Sequence, residues 1–183
     1  MSTLAIKRHE RRDRLGLKGP RAAEWLVANG IVLPVMLNSW THSEETDATD
    51  ALLVARLGSA EFFLEDVAAG TTLKRIAPLL NEYPPSVYPV LREDWGFELA
   101  GEGVHDVLAQ VCNVNFAALA LNSHTLIMTL MIGVAVLVVP QAIGGAVGRR
   151  YRIWCDPTFG PYLNESLGAV VSECGGRITG DPG

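Results

Sequence analysis

The chain has 183 residues, 49% of them hydrophobic and 19% charged, with a net charge of −5. That balance excludes a disordered polyelectrolyte and argues against nucleic acid as the main partner. The length suits one ordinary domain or two small halves sharing a core.

The first stretch, "MSTLAIKRHERRDRLGLKG", places charges where a secretory signal needs an apolar core, so the expected compartment is the cytoplasm. Its basic run 7–14 reads as a solvated arm. Leu15 and Leu17 then alternate up to Gly19, and Pro20 opens an amphipathic pattern carrying Trp25 and Leu26, which predicts a strand, a tight turn and a helix. The same order returns 82 residues later: Phe97 and Leu99, then Gly101, then Val107 and Leu108. Repeats are sought first because they set the whole fold.

A second block repeats at an offset of 90, pairing Asp66 with Asp156, Gly70 with Gly160 and Leu73 with Leu163. Ahead of these blocks lie the strand candidates "ALLVARL" (51–57) and "MIGVAVLVV" (131–139). The first joins "EFFLED" (61–66) through a tight Gly-Ser-Ala turn, and the second joins "YRIWCD" (151–156) through a glycine-rich loop expected to be mobile. "SVYPVLR" (86–92) and the short "GRIT" (176–179) are candidate last strands. Each half therefore predicts β-α-β-β-α-β, giving an α+β fold of two ferredoxin-like, split βαβ halves, 1–92 and 93–183, joined in one compact domain.

The segment 125–139 is the one candidate for a membrane span. As a helix it would reach about 22 Å against a hydrocarbon core of about 30 Å. No cluster of Lys or Arg flanks it, and its second half is rich in β-branched residues, so it reads as a central strand from about Leu130 to Val139, sealed on both faces.

Chemistry-bearing residues are sparse. Cys112, Cys155 and Cys174 are odd in number and lack metal-ligand spacing, which predicts reduced thiols and no metal site. His9, His42, His105 and His124 are scattered, and His105 is expected to face outward from a helix burying Val104, Val107, Leu108 and Val111. "LGLKGP" and "ELAGEG" carry neither dinucleotide nor P-loop spacing. "LREDWGFE" (91–98) gathers Arg92, Glu93, Asp94 and Glu98 between the halves and reads as a linker of solvated charge, with an acid/base carboxylate pair as the alternative. "GIVLPVML" (30–37) and "NFAALALN" (115–122) are more apolar than loops usually are, as a surface covering a core or a partner would be.

Taken as an ordered set, "RLGLKGPRAAEWL", "LVARLGSAEFFLED", "GFELAGEGVHDVLAQVCNVNF", "TLMIGVAVLVV" and "RRYRIWCDPTFGPYLNESL" resemble the gamma subunit of heterotetrameric sarcosine oxidase, and more widely the folate-binding part of the glycine cleavage T-protein, an aminomethyltransferase. The resemblance covers roughly residues 10–175. In "LGSAEFFLED", Gly58, Glu61 and Phe62 match the family's strand turn, and Ser59 stands where a proline is usual. It implies an accessory subunit without catalytic residues of its own, in a hetero-oligomer with larger, flavin-containing catalytic chains that oxidatively demethylate a small N-methylated amine such as sarcosine, N-methylglutamate or dimethylamine. The alternative it implies is a protein that itself transfers a one-carbon unit on tetrahydrofolate, with Asp94 and Glu98 as folate-pocket candidates.

Overall fold

The computed structural model describes residues 3–9, 12–43, 52–66, 71–143 and 148–179. The chain divides into two units, one of residues 11–92 and one of residues 1–10 with 93–183.

In the unit of residues 11–92, β2 (Arg14–Lys18) leads through Gly19 into α1 (Ala22–Ala28). Then come β3 (Ser39–Ser43), β4 (Leu52–Gly58), β5 (Glu61–Asp66), α2 (Thr72–Ile76) with a 3-10 turn, and β6 (Tyr88–Val90). The antiparallel sheet runs β3-β4-β5-β2-β6. Alternation sends Leu15, Leu17, Leu52, Val54, Phe62 and Leu64 to the face covered by Ala22 and Leu26 of α1 and by Leu73 and Ile76 of α2. Each such fully buried side chain contributes about 2 kcal/mol of transfer free energy. Sequence reading missed β3, whose polar Ser-Trp-Thr-His-Ser run shows no apolar alternation.

The other unit begins with β1 (Ala5–His9). It continues with β7 (Trp95–Ala100), α3 (Val104–Val111), β8 (Ile127–Met131), β9 (Val134–Ile143), β10 (Gly148–Cys155), α4 (Gly160–Glu173) and β11 (Arg177–Thr179). Its sheet runs β11-β1-β7-β10-β9-β8. Phe97, Leu99, Val136, Val138, Tyr151 and Ile153 form the core face with Val104, Val107, Leu108 and Val111 of α3 and Leu163, Leu167 and Val171 of α4.

Several expectations change. A division at 1–92 puts β1 in the first half, yet β1 pairs with β7 and β11 of the other unit. The run 131–139 is not one central strand: the chain reverses at Ile132 and Gly133, both at positive φ, and β8 ends the sheet. The charged stretch 91–98 is no simple linker, since β7 starts at Trp95. Of the glycine-rich loop, pairing reaches Ile143 opposite Gly148, and the remainder, 144–147, lies outside the described residues, as does Gly70 of the second repeat block. The basic run 7–14 is not a free arm: the Arg8 guanidinium stacks 3.7 Å above Trp95, and Arg12 and Arg14 both reach Glu65.

Among the described residues, no helix is long and apolar enough to cross a membrane.

Candidate functional site

Two polar clusters stand out, both in the unit containing β7. The first is a cleft of about 300 Å³ lined by Gly101, Gly103, Val104, His105, Asp106 and Arg149. The repeat's glycine turn places it: Gly101 and Gly103, at φ +110° and +81°, turn the chain from β7 into α3, so His105 falls in the first turn of the helix beside the end of β10. His105 does not simply face outward. Its Nε2 shares a 2.7 Å hydrogen bond with the hydroxyl of Tyr151, a buried residue of β10, and the rings meet edge to face.

Burial, with the positive charge of Arg149, holds the His105 imidazole below its ordinary pKa, against an opposing pull from Asp106. Burial raises the Tyr151 phenol, while Arg149 works the other way. Near neutral pH this is a neutral imidazole backed by a protonated phenol, a pair able to accept or relay one proton. Arg149 also has a framework task, since its Nη1 donates to the carbonyls of Phe116, Ala117 and Leu119, each at 3.4 Å. Sequence reading missed this cluster. Arg149 and Tyr151, two apart on a strand, share a face, and that spacing was the available signal.

The second cluster contains the predicted Glu98. It sits on β7, on the face opposite Phe97 and Leu99, with an oxygen 3.4 Å from His9 Nε2 and 3.5 Å from Arg150. Arg150 also donates to Gln141 at 2.9 Å. The β7–β10 register sets Glu98 opposite Arg152, which is 2% exposed and stacks on Trp154. Asp94 lies just before β7, near Cys155, whose thiol is pushed up to about 11 by burial and then by Asp94 and Asp156. The two predicted carboxylates thus act on different groups: Glu98 approaches a histidine and an arginine, while the charge of Asp94 is felt by the buried Cys155 thiol. Among the described residues, no three His, Cys, Asp or Glu side chains gather as a metal site requires.

The sequence matches no protein-family model and no curated protein. The structure matches solved ones over nearly its whole length. A chain of the heterotetrameric sarcosine oxidase from Corynebacterium sp. U-96, solved in complex with pyrrole 2-carboxylate, superposes with a TM-score of 0.69 at 21% identity, covering 92% of this chain and 83% of that one. The glycine cleavage system aminomethyltransferase T from Bartonella henselae superposes with a TM-score of 0.70 at 16% identity, covering 98% of this chain. The chain has a T-protein-like fold. It spans 48% of the aminomethyltransferase, so the T-protein-like fold here corresponds to about half of that enzyme.

Proposed function

We propose that this chain is an accessory small subunit, without catalytic residues of its own, of a cytoplasmic complex that oxidatively demethylates a small N-methylated amine. Larger flavin-carrying chains bind the substrate and oxidise it, and this subunit supports assembly and the handling of the released one-carbon unit. The observation that carries the reading is the two-way coverage against the sarcosine oxidase chain, 92% of one and 83% of the other, which pairs this protein with a chain of similar size drawn from a hetero-oligomer. We also infer that both units are ferredoxin-like copies of one β-α-β-β-α-β element. Omitting β1 and the outer strands β3 and β8, the orders β6-β2-β5-β4 and β11-β7-β10-β9 follow one pattern, which favours that reading.

Tetrahydrofolate transfer by this chain alone is the weaker reading. Glu98, one of its two candidate residues, already faces His9 and Arg150. Affinity purification of the tagged full chain from its native cell tests the proposal. The expected result is stoichiometric recovery of larger chains carrying flavin absorbance, with amine-dependent formaldehyde release by the complex. Recovery of the chain alone, with saturable tetrahydrofolate binding that Asp94→Asn and Glu98→Gln abolish, would replace it with the one-carbon transfer reading.

A further inference from the structure

Among the described residues the two sheets have four outer strands: β6 and β11 are blunted against further pairing, and β3 is too polar to offer an apolar surface beside its edge. β6 has three residues including Pro89, β11 has three including Arg177, and β3 is a polar Ser-Trp-Thr-His-Ser run. Short length, proline and charge are the usual ways in which folded proteins prevent a sheet edge from recruiting another strand. β8 has none of them. It is five residues, Ile-Met-Thr-Leu-Met, paired with β9 without a register shift from Ile127↔Val138 to Met131↔Val134.

One face of β8 is also apolar and open. Met128 is 55% exposed and Leu130 59%. Their cross-strand neighbours, Leu137 and Ala135, add no charge. The outward edge of such a strand presents backbone N–H and C=O groups at the two-residue repeat of a ladder, and the complement to that pattern of partial charges is another extended strand.

We propose that this strand is β8 of a second copy of the chain, paired antiparallel across a two-fold axis at Thr129. The sequence carries the choice of occupant, because Ile-Met-Thr-Leu-Met has the same character read from either end. Met128 faces Leu130 of the other copy, Ile127 faces Met131, and Thr129 faces itself, so each position meets a partner of its own kind. That is the self-complementarity a two-fold interface requires, and apolar and Thr–Thr cross-strand pairs are favourable ones. The two six-stranded sheets then become continuous. The inference stands apart from the accessory-subunit reading, because the isolated chain decides it.

The test is sedimentation and light scattering of the full chain over a range of concentrations, with hydrogen exchange of residues 127–131. The expected result is a concentration-dependent species of twice the 19.7 kDa chain mass. In Met128→Lys/Leu130→Lys, association weakens roughly a hundredfold, because two ammonium groups meet an apolar strand. The double variant keeps the circular dichroism and unfolding midpoint of the parent, and its β8 amides exchange faster. Val35→Lys, at an exposed site in the other unit, leaves the dimer unchanged. A chain that stays monomeric throughout, a dimer that survives the double lysine variant, or protection of 127–131 seen only with a different polypeptide bound would overturn the proposal.

Discussion

Gly19 and Gly101 stand at φ +124° and +110°, and a Cβ on either would fall 2.2 Å from the Ser86 carbonyl oxygen or 2.4 Å from that of Thr3. Left-handed strain and overlap with backbone add together, so Gly19→Ala and Gly101→Ala are each expected to cost about 2–4 kcal/mol in urea unfolding. Gly30→Ala, at φ +83° with open space around it, should cost about 1 kcal/mol, and equal losses at all three sites would refute the steric account. Gly19 and Gly101 were legible in sequence because the same turn recurs 82 residues apart. The partner of His105 was not, since Tyr151 is 46 residues away and only the fold joins them. The folded imidazole is held below its ordinary pKa, so in acid the unfolded chain takes up a proton before the folded one does. The contribution of His105 is therefore full above the unfolded value near 6.5 and is lost as the pH falls through the lower folded one. In an NMR titration the His105 ring should titrate below 6.5, and His105→Gln should flatten the acid slope of stability. A titration above 6.5 would contradict the burial described here.

Strand-level pattern predicted most elements and failed where turn chemistry was disguised. Tight hairpins favour Asn-Gly, whereas this chain reverses at Ile132-Gly133, with Ile132 at φ +48°. A β-branched residue in that conformation is unusual, so 131–139 reads as one uninterrupted apolar strand. The strong apolarity of the longer segment 125–139 belongs to two elements: β9, whose Val136 and Val138 fill the core, and β8, whose Met128 and Leu130 face out. Pattern is equally silent on long-range charge. Arg14 on β2 stands directly opposite Glu65 on β5, and the side chains form an ion pair with the carboxylate wholly buried. Arg12 approaches the same carboxylate at 3.8 Å. Removing one partner leaves the other charge desolvated and uncompensated. Glu65→Ala is thus expected to lower unfolding free energy by about 3–5 kcal/mol, and Arg14→Met/Glu65→Leu to recover most of it. A loss below about 1 kcal/mol for Glu65→Ala would mean that the pair is worth no more than a surface bridge.

For the whole molecule, a division near residue 92 was legible in the repeat, while the allegiance of the first strand was not. Nothing local in Ala-Ile-Lys-Arg-His ties it to residues far along the chain, because a strand's neighbours are set by pairing rather than by its own pattern. β1 lies between β11 and β7, parallel to the first and antiparallel to the second, with Ile6 opposite both Ile178 and Leu99. A fragment of residues 93–183 would lack an interior strand, leaving β11 without its ladder and Phe97 and Leu99 beside an open edge. The fragment 11–92 keeps all five strands of its sheet. Fragment 93–183 is therefore expected to show the broad, poorly dispersed amide spectrum of an unfolded or molten chain. Joining residues 1–10 after residue 183 through a glycine-serine linker should restore dispersion and a cooperative thermal transition, because the strand returns to its place whichever end supplies it. If 93–183 alone gives a dispersed spectrum and a sharp transition, β1 is an accessory strand rather than part of what holds this unit together.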